Sequence, residues 1–313
     1  MLQKIYIIGH KSPDLDSVAA AISYAGFKNK QENTDIYMPA ITEDINQITK
    51  FVLDKFNLET PKILNDANGK KVILVDHNEA SQSLEGINAA EIVEILDHHK
   101  LNFQYDRPIA ANIKPWGATC SILAQMYLDN NINIDKNLAG LMLSAILDDT
   151  LITKSPTCTD KDKELIEKLT GLAGISDWKA YGLEMFKVKS SVKDFTDLEI
   201  IKNDFKDFEF KAGKFGIGQV ETVDLSEFDA RAEALLATMK KMREKENYHS
   251  VILFFTDVIK ECSRFLIASD NKKNIVKALG GELKDNKACT PSISGIMSRK
   301  KQVVPLISKV FDK

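Results

Sequence analysis

His10, Asp14 and Asp16 fall within seven residues, directly after the apolar run Ile5–Ile8. An imidazole and two carboxylates so close together form a donor set for a divalent cation. Asp14 and Asp16 are two apart, so in extended backbone they point the same way. Two anions held side by side at neutral pH repel unless something positive lies between them. The same stretch also suits an Asp-rich turn, with Pro13 biasing Ser12 towards extended backbone and Asp16 or Ser17 capping a following helix. From this loop alone both readings stay open.

Two more clusters have the same setting. Asp76-His77-Asn78-Glu79 follows the apolar run 72–75, and Asp97-His98-His99 follows 92–96. A fourth group, Asp148-Asp149, closes a helical pattern over 136–147, at the end where the helix dipole disfavours anions. A negative charge there calls for a compensating cation or for solvent. Together His10, Asp14, Asp16, Asp76, His98 and Asp149 exceed what one ion needs. Carboxylates can bridge two ions about 3.5–4 Å apart, and such a pair acidifies a shared water to hydroxide near neutral pH, usually for attack on phosphorus. Mixed nitrogen and oxygen donors favour Mn, Co, Fe or Zn over a pure Mg or Ca site.

The elements that must position these groups read as an α/β fold. Ile5–Ile8, 72–75 and 92–96 are short Val/Ile/Leu-rich strands alternating with helical patterns at 17–29, 44–56 (Thr42 as candidate cap), 117–129, 136–147 and 161–170, the last opened by a turn-and-cap segment over 155–160. Continuous apolar strands between helices are the mark of a parallel sheet covered on both faces. Ligands of open α/β sheets bind beyond the carboxyl ends of the strands, so the three strand-end clusters should converge. A polar stretch around 190–195 reads as a linker. It separates a domain over 1–189 from a smaller α/β domain over 196–313, with strands at 214–223, 251–255 and 265–268, a long helix over 226–245, and a shorter one over 272–279.

At 313 residues the chain has room for two cores. A net charge of -3 gives no reason to expect a nucleic-acid-binding surface, and the longest apolar stretch, 138–147, is too short to span a bilayer. The N-terminus reads as a strand and not a signal peptide. Cys120, Cys158, Cys262 and Cys289 are scattered, as expected of reduced thiols in a cytoplasmic protein. Ser298-Arg299-Lys300-Lys301-Gln302-Val303-Val304-Pro305 places three cations in a row. That is either a solvated face or a grip for phosphate oxygens, with one planar fork beside two point charges.

These residues resemble a known family. Asp97-His98-His99 is similar to the signature of the DHH phosphoesterases. Gly9-His10-x-x-Pro13-Asp14-x-Asp16-Ser17, Val75-Asp76-His77-Asn78-Glu79, Lys154-Ser155-Pro156-Thr157-Cys158-Thr159-Asp160 and the C-terminal Ser298–Pro305 segment together resemble the family II, manganese-dependent inorganic pyrophosphatases. The resemblance implies a parallel-sheet DHH domain, a smaller DHHA2-type domain, and hydrolysis of pyrophosphate to two orthophosphates. It implies two Mn2+ per chain, with Co2+ as a possible substitute and further Mg2+ arriving with substrate. One Mn2+ would be held by His10, Asp14, Asp76 and Asp149, the other by Asp16, Asp76, His98 and Asp149. By the same resemblance His99, Lys206, Arg299 and Lys300 contact the substrate. Asp14 and Asp76 join these four among the catalytic residues. A cytoplasmic homodimer without nucleic-acid or membrane partners is also implied. Asp148, beside Asp149, is an additional carboxylate. Two rival functions are a DHH-type phosphodiesterase acting on oligonucleotides or cyclic dinucleotides, and a non-catalytic metal- or nucleotide-binding regulator. Many such phosphodiesterases carry a Gly-Gly-Gly-His type segment; here Gly280-Gly281 leads to Glu282.

Overall fold

Six strands, β1 (Ile5–Ile8), β2 (Tyr37–Ile41), β3 (Lys62–Ile63), β4 (Lys71–Val75), β5 (Glu91–Asp97) and β6 (Ala110–Ile113), form one all-parallel sheet in the order β3-β2-β1-β4-β5-β6. The computed structural model describes residues 3–192, 195–282, 290 and 292–312. The chain divides into two units, Met1–Lys189 and Ser190–Lys313, and the sheet belongs to the first. Strand order reverses between β1 and β4. This switch point is where the connecting loops part and leave a crevice at the carboxyl ends.

The helices of this unit are α1 (Leu15–Glu32), α2 (Gln47–Lys55), α3 (Thr119–Asp129), α4 (Lys136–Asp149), α5 (Asp160–Ala173) and α6 (Trp178–Lys189). Helix α1 packs across β1 and β2, and its buried Ala19, Ala20 and Ala21 keep it close to its neighbours. Its cap differs from expectation. Asp14, not Asp16 or Ser17, accepts the Ser17 N–H at 2.9 Å, so the helix begins at Leu15 and Asp16 lies in its first turn. Helix α2 likewise starts later than expected, capped by Asn46, while the Thr42 hydroxyl donates to the His10 carbonyl. Gly140 on α4 makes room for Phe56; a Cβ there would lie 2.1 Å from the ring. The sheet face carrying Ile8, Ala40, Val72 and Leu74 is packed by Leu84, Ile87, Phe103, Tyr105 and Ile109. These come from short 3-10 turns and loops, so helices do not cover both faces equally.

The second unit contains α7 (Asp197–Lys202), β7 (Phe205–Phe210), β8 (Gly213–Thr222), α8 (Ser226–Asp229), α9 (Ala232–Lys245), β9 (Ser250–Asp257), β10 (Cys262–Ala268), α10 (Lys272–Ala278), β11 (Ile293–Ser294) and α11 (Val304–Phe311). Its sheet runs β11-β10-β9-β8-β7, with β8 and β9 parallel and the other pairs antiparallel. Side chains alternate along β9. Leu253 and Phe255 pack with α7 and α9, whereas Ile252 and Phe254 pack with α10 and α11. Burying each such side chain contributes about 1.5–3 kcal/mol, which makes β9 the spine of this unit. The single helix expected over 226–245 is two. It breaks at Arg231, whose guanidinium turns to Asp197, the Val192 carbonyl and the Phe195 carbonyl. Cys120, Cys158 and Cys262 are free thiols; Cys289 and the linker residues Lys193 and Asp194 lie outside the described residues.

Candidate metal centre and basic segment

Gly9 follows β1, and a Cβ there would fall 1.8 Å from Ser17 Oγ. That close approach lets the Ser17 hydroxyl accept the His10 N–H at 3.1 Å, tying the loop to α1. His10 Nδ1 lies 2.7 Å from its neighbour's carbonyl, Lys11 O. A carbonyl only accepts, so Nδ1 carries the proton and Nε2 faces inward, 3.5 Å from Asp14 Oδ2 and 3.5 Å from Asp76 Oδ2.

Asp76 follows β4 and is 1% exposed. Its φ of +60° is a left-handed conformation that a non-glycine residue adopts at a cost. Its N–H donates to Leu96 O at 3.0 Å, which holds it there. Strain of this kind gathers at functional sites. Asp76 Oδ1 accepts from Thr119 Oγ1 at 3.0 Å and lies 3.4 Å from His98 Nε2. His98 repeats the pattern of His10, with Nδ1 on the Trp116 carbonyl at 3.0 Å and Nε2 turned inward, 3.7 Å from Asp149 Oδ2.

Asp16 is fully buried and accepts the backbone N–H groups of Thr119 at 2.6 Å and Cys120 at 3.0 Å. These are first-turn donors of α3, whose own N-cap, Ala118, has no side chain to offer them. A carboxylate from α1 thus caps α3 where its dipole favours an anion. Asp149 is the last residue of α4. The chain then turns through three consecutive left-handed residues, Leu151, Ile152 and Thr153.

Among the described residues three groups of donors result, the atoms of each within 4.8 Å of one another: Asp16, Asp76, His98 and Asp149; His10, Asp14 and Asp76; and Asp76, His98 and His99. Asp76 belongs to all three. Asp14 and Asp16 do not point the same way as extended backbone would require. The capped helix start sends them to separate groups on either side of Asp76. Asp149 joins the first group, and Asp148 faces elsewhere, 2.7 Å from Lys189 Nζ.

The electrostatics favour positive charge among these carboxylates. Burial would lower the His10 pKa, but Asp14 and Asp76 outweigh it and push it up to about 11. His98 goes up to about 9 for the same reason, through Asp76 and Asp16. Burial raises Asp16 to about 7, with Asp76 adding to the rise, and burial raises Asp149 well above the carboxylate range. Bonds to His10 and His98 outweigh burial at Asp76 and hold it down. Two imidazoles facing four mutually repelling carboxylates, with both Nδ1 atoms tied back, fit divalent cations that accept nitrogen and oxygen ligands.

Asp97 is not in these groups. It is fully buried and accepts from Asn78 Nδ2 at 2.6 Å, from the His98 and His99 N–H groups, and from His99 Nδ1 at 2.9 Å. It therefore orients His99, and this bond raises the His99 pKa. His77 is saturated by the Val75 carbonyl and Ser83 Oγ and serves the loop alone.

In the second unit, Lys206 on β7 and Lys300 are exposed. Arg299 is 8% exposed; its Nη1 donates to the Asp204 carbonyl at 2.5 Å and its Nη2 to Asp204 Oδ1 at 2.7 Å. Thr119, Lys189 and Asp204 escape sequence reasoning, which names Asp97 only as part of Asp97-His98-His99 and not as the group that orients His99. Only Thr119 had a local signal, a helix start with no capping side chain before it.

Comparison with known proteins agrees with this arrangement. The profile described as "DHH family, N-terminal domain" matches residues 4–146, and the DHHA2 domain matches 183–310. A manganese-dependent inorganic pyrophosphatase of Methanothrix thermoacetophila is 45% identical, with all of both chains covered. One from Bacillus subtilis is 38% identical over 98% of each chain. Among solved structures, a Methanococcus jannaschii protein assigned to the family II inorganic pyrophosphatases superposes with a TM-score of 0.64 at 38% identity, over 99% of this chain and 100% of that one. No helix among the described residues is long and apolar enough to cross a membrane. By its full-length similarity and its two matching domains, the chain belongs to the family II, manganese-dependent inorganic pyrophosphatases of the DHH phosphoesterase superfamily.

Proposed function

We propose that this chain hydrolyses inorganic pyrophosphate to two orthophosphates, with two Mn2+ held on the first unit. His10, Asp14, Asp76 and Asp149 would hold one ion, and Asp16, Asp76, His98 and Asp149 the other, so that Asp76 and Asp149 bridge. Asp76 carries the reading, since one strained, buried carboxylate lies beside both inward-facing imidazoles. When bound, the ions supply an acidified water near neutral pH and neutralise charge on the phosphate. The residues do the rest. Asp97 accepts the His99 Nδ1 proton and raises the His99 pKa, which favours the imidazolium, whose Nε2–H can donate to a substrate oxygen. Lys206, Arg299 and Lys300 grip phosphate oxygens, favouring a small tetra-anion over a phosphodiester. In this scheme 1–189 is the catalytic domain, 190–195 the linker and 196–313 the substrate-clamping domain. A cytoplasmic homodimer, Co2+ as substitute metal and Mg2+ accompanying substrate belong to the same proposal. The test is phosphate release from pyrophosphate by chelator-stripped protein, with and without added Mn2+. Manganese-dependent turnover of pyrophosphate orders of magnitude above that of a dinucleotide is expected. Equal or faster cleavage of the dinucleotide would move the chain to the phosphodiesterase reading.

A further inference from the structure

A side-chain amide from β8 bonds the main chain of the basic segment. Gln219 lies in β8 and is 9% exposed. Its Nε2 donates to the Met297 carbonyl at 3.0 Å and to Thr256 Oγ1 at 3.3 Å, while its Oε1 accepts the Arg299 N–H at 3.3 Å. Met297 and Arg299 flank Ser298, so the carboxamide bonds the main chain on both sides of that residue, much as a neighbouring strand would. Only a group offering donor and acceptor together can do this. A carboxylate of the same shape would set an oxygen against the Met297 carbonyl.

The main chain of Gln219 is engaged as well. Its N–H donates to the Asp204 carbonyl at 3.0 Å, the same carbonyl that takes Arg299 Nη1. The side chain of Gln219 therefore fixes the backbone of Arg299, and its backbone fixes the anchor of the Arg299 guanidinium. Lys206 is two residues beyond Asp204 and pairs with Ile217, two residues before Gln219. Lys300 follows Arg299 within a π-helical turn, Arg299–Val303, a widened geometry that recurs at functional sites. Gln302 closes that turn by accepting the Met297 and Ser298 N–H groups.

We propose that Gln219 is a positioning residue for anion recognition, setting Lys206, Arg299 and Lys300 in one frame through its two-sided bond to the main chain around Ser298. The proposal rests on the reading of those three as phosphate-gripping groups. The test is a double-mutant cycle on the manganese-loaded, full-length protein. Gln219→Met keeps the length and removes all three side-chain bonds. It should keep the manganese content and lower kcat/KM for pyrophosphate about tenfold, mainly by raising KM, as expected for losing a buried hydrogen bond that orients charged groups. If Gln219 acts through Arg299, adding Gln219→Met to Arg299→Ala should cost little more than Arg299→Ala alone. Gln219→Asn keeps the amide but falls one methylene short; it should show the same rise in KM, and it serves should the Met variant melt too low for assay. Full additivity with Arg299→Ala overturns the proposal, as does unchanged kcat/KM in a folded Gln219 variant. Near-normal kinetics in Arg299→Ala alone would sink the underlying reading of the basic segment. A loss in Gln219→Met beside a silent Arg299→Ala would overturn the route through Arg299 as well.

Discussion

The two units hold charge in opposite ways. In the first, Asp16, Asp76 and Asp97 are carboxylates withdrawn from water, and each of these is tied to a donor: Asp16 to the first turn of α3, Asp76 to Thr119, Asp97 to Asn78. In the second, the ammonium groups of Lys206 and Lys300 stay in solvent, and only Arg299 is buried, against Asp204. Physical chemistry explains the difference. A buried carboxylate without a counter-charge costs several kcal/mol, so an acidic site must be built with its donors and completed by cations. An ammonium on a flexible stem is strongly hydrated and loses little by waiting in water until an anion arrives. The acidic site is therefore rigid at Asp16 and Asp76, while of the three cations only Arg299 is fixed.

The largest effects should follow from breaking the rigid side. Asp76→Asn replaces a shared carboxylate by a neutral amide, and both ions should be weakened together. Turnover should fall by at least about 10³-fold, beyond the loss typical of a single stabilising donor. Metal content counted after dialysis checks this, and two tightly retained ions per chain would rule out a shared role for Asp76. On the basic side, Arg299→Ala should keep both ions and lose about 10²–10³ in rate. Arg299→Lys should recover only part, because an ammonium cannot make the planar two-point contact. Arg299→Ala also strips Asp204 of its partner, so a modest fall in melting temperature should accompany the kinetic loss.

How far the sequence reveals each half follows from the range of the interactions. Strands β1, β4 and β5 are legible because their apolar runs are local and each ends in chemistry, and the carboxyl-end rule then predicts that His10, Asp76 and His98 meet. The cap of α1 is not legible in the sequence because Asp14, Asp16 and Ser17 are all competent caps, and only backbone geometry selects Asp14. Strand β7, with Lys206, Asp207 and Glu209 between its phenylalanines, lacks the clean apolar run that marked the buried strands. The hydrogen bond from Thr119 to Asp16 spans 103 residues, and that from Arg299 to Gln219 spans 80. No local periodicity encodes such pairs. What the sequence does carry is the empty half of one of them, Ala118 ahead of α3, a helix start in need of an external anion.

Smaller effects should come from the supports of the metal centre. Thr119→Val keeps the shape of the side chain and removes the hydroxyl donated to Asp76. Metal affinity should drop about 10–100-fold, the usual cost of losing a group that orients a ligand. Titration against a competing chelator would read it. Unchanged affinity would mean that the strained backbone of Asp76 alone positions the carboxylate.

The smallest effect is a dependence on pH, and its sign can be worked out. Without metal, His10 and His98 have pKa values raised from 6.5 to about 11 and about 9. The stabilisation they gain from Asp76 and its neighbours is whole below pH 6.5, where folded and unfolded chains both bind the protons. It is then lost as pH rises, first through about 9 and then through about 11. Asp16, raised from 3.8 to about 7, acts with the same sign at lower pH, because the unfolded chain releases its proton first. The melting temperature of the metal-free protein should thus fall steadily from pH 6 to pH 10. Manganese binding needs both imidazoles unprotonated, so at pH 7–8 loading should release protons, and affinity should rise about tenfold per pH unit for each site that must give one up. Calorimetry in buffers of different ionisation enthalpy counts those protons. A count of zero at pH 7.5, or a metal-free protein that grows more stable towards pH 10, would mean that the imidazoles are already neutral and that the carboxylates, not the histidines, control how the site is filled.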